Sequence, residues 1–114
     1  MARYTATFSI VNHSDHAYQT ACNLLKQSGF RLLHESQDYI MGTEKPGRVK
    51  FSLLTTAEIL IEVPHNHSSL TLEMLVKNEE LPLNANNHCK QVFDHLQSVF
   101  LECCEWSASL TASH

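Results

Sequence analysis

Residues 84–106, NANNHCKQVFDHLQSVFLECCEW, decide the fold, because at helical spacing Cys89, Val92, Phe93, Leu96, Val99, Phe100 and Cys103 fall on one side. Lys90, Asp94, Ser98, Glu102 and Glu105 lie away from that stripe. A helix of this kind needs a flat apolar partner. Residues 49–77 supply one, alternating apolar and polar with the period of a half-buried strand. The two patterns together predict an α+β fold, an antiparallel β-sheet with the last helix lying on it.

The rest of the chain fits that frame. Residues 2–11 alternate, with Tyr4, Ala6, Phe8 and Ile10 on one face and Arg3, Thr5, Thr7 and Ser9 on the other, which predicts a first strand. Ser14 is the best N-cap for a helix running to about Ser28, whose apolar side takes in Ala17, Tyr18, Ala21, Cys22, Leu24 and Leu25. Gly29 stops it as a left-handed C-cap residue. Residues 30–35 and 39–44 read as strands joined by the polar turn Ser36-Gln37-Asp38, and Lys45-Pro46-Gly47 closes the next hairpin. Val49, Phe51, Leu53, Ile59, Ile61 and Val63 share one phase, so residues 49–55 and 57–63 read as two strands or one long bent strand. A polar loop over residues 64–69 returns the chain into residues 70–77. The in-phase register sets Ile61 opposite Leu72, Ile59 opposite Met74 and Ala57 opposite Val76, all inward. Asn84 or Asn86 supplies the N-cap of the last helix, and Trp106 falls on the flank of its stripe. Residues 1–106 are thus expected to form a single domain, with residues 107–114, small and polar apart from Leu110, as a frayed tail.

Composition narrows the function. Eight Lys and Arg against 12 Asp and Glu give a net charge of −4, which weighs against a nucleic-acid partner. The one local basic group, Lys45, Arg48 and Lys50 around Pro46-Gly47, reads as a solvated turn. Cys22, Cys89, Cys103 and Cys104 have no metal or redox spacing and three sit at or beside helix stripes, so reduced thiols in a cytoplasmic protein are expected. With no basic leader and no apolar run near membrane-spanning length, neither secretion nor a membrane partner is expected.

Eight histidines invite a metal, and the spacing argues against one. His65 with His67, or His13 with His16, would each need two further ligands from elsewhere. His88 and His95 share a helix side but stand about 10 Å apart along its axis. Neither a metal nor a cofactor is expected. Catalysis lacks support as well: Cys22 or Cys89 beside a histidine would need an oxyanion feature that does not accompany them, and Glu58, Glu62 and Glu73 read as solvated strand carboxylates. Three glycines, each at a turn or cap, leave none for a phosphate-cradling loop.

The order of elements, a strand over 2–11, a helix over 14–28, a meander over 30–77 and the striped helix of 84–106, resembles the helix-grip arrangement of the START and Bet v 1-like superfamily. The resemblance implies a curved sheet gripping the last helix, often around a cavity for an apolar small molecule. It carries no residue motif and transfers no site residue. The chain is shorter than most members and lacks the second short helix that commonly follows their first strand.

A binding or assembly module acting through protein contacts is the favoured expectation. Its warrant is the outer face of the sheet, where Leu54, Leu60 and Leu75 interrupt polar positions. Leu101, outside the helix stripe, is a further candidate. In the register above, Leu60 faces Glu73 and Glu58 faces Leu75, so Leu60 and Leu75 are diagonal neighbours rimmed by Glu58, Glu62 and Glu73. The partner is a second protein or a second copy of the chain. The competing expectation is a carrier of an apolar small molecule, and it requires a hollow space beneath the last helix.

Overall fold

The structure, a computed structural model, describes residues 1–12, 16–47, 49–63, 69–81, 83 and 87–113. Six strands and two α-helices follow the order β1 (Ala2–Val11), α1 (Ala17–Gln27), β2 (Phe30–Glu35), β3 (Tyr39–Glu44), β4 (Thr56–Glu62), β5 (Leu70–Asn78), α2 (His88–Glu102) and β6 (Ser107–Ser113). The strands make one antiparallel sheet in the order β2-β3-β4-β5-β1-β6. Strands β2 to β5 form a meander, and β1 closes it by pairing with β5.

Both helices pack on one face. Phe8, Ile10, Ile40, Ile59, Leu70, Leu72, Met74 and Val76 point inward and join Leu25 of α1 and Phe93, Leu96 and Phe100 of α2 in a single core cluster. The expected register is present, with Ile61 opposite Leu72, Ile59 opposite Met74 and Ala57 opposite Val76. A one-residue slip would put Glu58 and Glu62 inside, and burial forbids it. Helix α1 ends as its sequence requires: Gly29 takes φ +89°, and the Ser28 N–H donates to the Leu24 carbonyl at 3.1 Å. Ser14, Asn84 and Asn86 lie outside the described residues. The N-cap of α2 is Asn87, whose side chain accepts from the Lys90 N–H at 2.8 Å while its amide donates to the Tyr4 hydroxyl at 2.9 Å.

Three segments depart from the sequence expectation. Residues 49–55 are not a strand: Phe51–Leu53 form a 3-10 turn, and β4 begins at Thr56. Backbone hydrogen bonding accounts for this, because the Glu44 N–H donates to the Thr55 carbonyl and the Asn78 side chain donates to the Leu53 carbonyl. Phe51, assigned inward by its phase, is 83% exposed. Helix α2 stops at Glu102, with Cys103 already extended, so Trp106 does not ride on the helix flank. A turn folds it back, its indole N–H donates to the Phe100 carbonyl at 2.9 Å, and the ring is buried.

The third correction is the tail. Ser107–Ser113 form β6 along the free edge of β1. The strand shows no apolar alternation because its tie to the fold is the backbone ladder, and an edge strand needs hydrogen bonds more than side-chain burial. Side chains reinforce it, with Asn12 donating to the Ser107 hydroxyl and the Thr111 hydroxyl to the Thr7 carbonyl. Trp106 anchors its start.

Candidate functional site

The helix-free face of the sheet is ordered into rows by the strand registers. The first row runs Arg31, Thr43, Thr56, Lys77, Arg3. The second is His34, Met41, Glu58, Leu75, Thr5, and the third is Tyr39, Leu60, Glu73, Thr7, Ala112. Glu62, Thr71, Ser9 and Ser109 make the fourth. Rows on one face are two residues apart, about 7 Å along the strand.

Leu60 and Leu75 occupy the centre of this grid, on adjacent strands and adjacent rows, as the register predicts. Leu60 is 47% exposed and Leu75 is half-buried, and both line a shallow concavity of about 320 Å³ with Arg3, Thr5, Glu58 and Glu73. Leu54 is half-buried beyond the 3-10 turn. It borders a second concavity, about 380 Å³, that includes Phe51 and reaches the first row at Thr56 and Lys77. Leu60 and Leu75 thus share one concavity, and Leu54 borders a separate one. Leu101 is not on it: half-buried on α2, it packs against the core on the other side of the sheet. Sequence reading missed Phe51 because an extended segment and a 3-10 turn share its local apolar pattern.

A polar cluster holds the face together. The Tyr39 hydroxyl donates to the Glu58 carboxylate at 2.6 Å, and the Lys77 ammonium approaches the other oxygen at 3.1 Å. The Tyr39 bond and then Lys77 and Arg3 lower the Glu58 pKa against the opposing effect of burial, and the same bond raises the phenol of Tyr39. Both shifts have the sign expected of an O–H donated to a carboxylate. Tyr39 also sits 5.4 Å from the His34 ring.

No protein-family model and no curated protein matches this chain. Its chemistry is therefore read from geometry alone.

The second polar cluster lies at the start of α2. His88 Nε2 meets both oxygens of Glu44 at 2.9 and 3.0 Å, and Glu44 accepts from the Thr55 N–H and hydroxyl. Glu80 accepts from the backbone N–H groups of His88 and Cys89, and Asn78 holds Glu80 in turn. These bonds clamp the helix start to the ends of β3 and β5. A groove of about 360 Å³ lined by Phe30, Val49, His88, Val92 and His95 runs alongside.

Nucleophilic chemistry finds no activated group in that cluster. Cys89 is fully buried, and burial, followed by the charges of Glu80 and Glu44, pushes its thiol up to about 11. Burial and Glu35 also raise the Cys22 thiol. Cys22, Cys89, Cys103 and Cys104 are all free thiols. Among the described residues no group of three or more His, Cys, Asp and Glu side chains is arranged to hold a metal ion. His13, His65 and His67 lie outside them, as does Arg48. No helix among the described residues is long and apolar enough to cross a membrane.

Proposed function

We propose that the chain is a non-catalytic binding or assembly module whose working surface is the helix-free face of the sheet. The observation that carries this reading is the adjacent pair Leu60 and Leu75 at the centre of a mostly polar face, with Leu60 47% exposed. An apolar centre with a charged rim is the anatomy of a modest protein interface. The rim here is Glu58, Glu62 and Glu73 on one side and Arg3 and Lys77 on the other. Glu58 is already oriented by Tyr39 and Lys77, so a partner meets a pre-set surface.

The filled core supports this reading over a carrier of apolar molecules. Phe93, Leu96 and Phe100, all at most 1% exposed, fill the layer between α2 and the sheet. Their rings engage Tyr4 at 5.7 Å, Phe8 at 6.1 Å and Trp106 at 6.0 Å. A carrier would need that volume for its ligand.

The test is the double variant Leu60→Asp with Leu75→Asp, compared with the parent for solution mass and for recovery of bound protein. Loss of association by a folded variant is the expected result. A folded variant with unchanged mass and unchanged partner recovery would remove this face from consideration.

A further inference from the structure

The strand registers bring several distant segments to one end of the sheet. β1 starts there, with Ala2 opposite Asn78, and the starts of β2 and β4 lie beside the ends of β3 and β5. The links that follow β3 and β5 therefore both leave from this end. Asn78 ties them together, its side chain donating to the Leu53 carbonyl and to the Glu80 carboxylate at 3.0 Å each.

This end carries the four most exposed large apolar side chains among the described residues. Leu83 is 89% exposed, Phe51 83%, Leu81 65% and Met1 62%, whereas the other five exposed ones range from 38% to 54%. Positive charge collects at the same end. Arg3, Arg31, Lys45 and Lys50 are exposed there, and among the described residues the ion pairs engage Lys26, Lys77, His88 and Lys90, not these four. Of the carboxylates at this end, Glu44 is held by His88 and Thr55 and Glu80 by backbone N–H groups, which leaves Glu79 as the exposed one. The opposite end is acidic, with Asp38, Glu62, Glu102 and Glu105 exposed. A chain of net charge −4 thus presents a cationic, apolar tip.

We propose that this tip docks on an anionic lipid surface, with Phe51, Leu81 and Leu83 entering the boundary between headgroups and acyl chains while Arg3, Arg31, Lys45 and Lys50 meet lipid phosphates. Leaving water favours the apolar side chains, and each cation near an anionic leaflet adds attraction. The leucines and the phenylalanine stand out from connecting segments, and a bilayer takes protruding groups without a matching shape, whereas a folded protein partner would need one. A nucleic acid would use the cations and leave Leu81 and Leu83 in water. Docking of this kind needs no spanning segment, so it is compatible with helices too short or too polar to cross a membrane. The contributing residues are far apart in sequence, which is why Lys45 and Lys50 read there as a solvated turn.

Flotation with vesicles of equimolar phosphatidylcholine and phosphatidylserine should carry the protein with them at low salt. Binding should weaken as salt rises and be weakest on phosphatidylcholine alone. Phe51→Ser with Leu83→Ser should lower vesicle affinity about tenfold or more, as should Lys45→Gln with Lys50→Gln. All four positions are exposed, and melting temperatures equal to the parent's verify that the variants are folded. Phe51→Trp reports insertion itself: its emission should shift to the blue on addition of the mixed vesicles, above the constant signal of buried Trp106. Leu60→Asp with Leu75→Asp should bind vesicles as the parent does, which separates this surface from the helix-free face.

A parent that does not float with the mixed vesicles at low salt overturns the proposal. So does binding that survives either tip variant, or binding without the blue shift, which would be adsorption by charge alone. Loss of vesicle binding in the folded Leu60→Asp, Leu75→Asp variant would also overturn it, since lipid would then be met by the other face. Retention on a DNA duplex or on polyglutamate, with no vesicle binding, would refute the lipid surface and assign the tip to a soluble polyanion.

Discussion

The two faces of one sheet are built on opposite rules. On the inner face β1, β3, β4 and β5 alternate into the same cluster, Phe8, Ile10, Ile59, Leu72 and Met74 are at most 1% exposed, and two helices cover them. On the outer face the same strands present threonine, paired charge and two central leucines. The inner face is specified by volume, because its side chains must fill the space under α1 and α2. The outer face is specified by register, because Leu60 and Leu75 become neighbours only when β4 and β5 align as they do. The core therefore lies on one side, and the surface proposed for recognition on the other.

The strongest way to break that division is to truncate the helix stripe. Phe93 and Phe100 each pack against a strand aromatic, and removing either leaves a cavity that rigid neighbours close only in part. Phe93→Ala and Phe100→Ala should each cost about 3–5 kcal/mol in denaturant melts. A loss under about 1 kcal/mol would place the stripe outside the core.

A middle-sized effect is expected where α2 is fastened rather than packed. Asn87 satisfies the Lys90 N–H and also bonds Tyr4 across the sheet. Asn87→Ala should cost about 1–2 kcal/mol in the same melts, at the upper part of the range for a cap because two bonds go at once. Asn87→Asp keeps the acceptor and loses the donor, and should recover part of the loss. Equal losses for both would assign the whole effect to the Tyr4 bond.

How much of this was legible in the sequence follows the same division. The inner face was readable, since periodicity alone identified β1 to β5, the stripe of α2 and the β4–β5 register. Features stabilised by backbone bonding were not. β6 carries no apolar alternation, and the Phe51 turn mimics a strand in its phase, so neither announces itself through hydrophobicity. The end of α2 at Glu102 was hidden because Cys103 and Trp106 continue an apolar pattern that the chain satisfies by folding back. On the outer face Leu60 and Leu75 were readable as a pair. The bonds of Tyr39 and Lys77 to Glu58 were not, because they join residues far apart in sequence and appear only once β3, β4 and β5 are in register.

Glu58 gives the outer face a pH signature. Its pKa is lowered in the fold, first by the Tyr39 hydroxyl and then by Lys77, so its contribution is fully present above the ordinary glutamate value. That contribution is lost as pH falls through the depressed value. Glu58→Gln should therefore melt below the parent at neutral pH, with the difference closing only in the acid range below the ordinary glutamate value. A gap that stays constant to the lowest accessible pH would show that the carboxylate charge contributes nothing and that Gln fails for steric reasons.

The smallest effect is expected at the residue central to the proposed surface. Leu60 is exposed and its neighbours on the face are charged or half-buried, so truncating it opens no cavity. In dilute solution Leu60→Ala should change monomer stability by only about 0.5 kcal/mol or less. Leu72, on the opposite face of the adjacent strand and fully buried, should cost about 2–5 kcal/mol for the same truncation. Concentration separates the two further. If the partner on this face is a second copy of the chain, the parent melts higher as concentration rises, because association draws the equilibrium toward the folded state. Leu60→Ala should flatten that dependence, whereas Leu72→Ala should shift the whole curve down and keep its slope. A Leu60 variant that loses stability at every concentration alike would mean that this leucine serves the fold, and the division between the two faces would fail at its central residue.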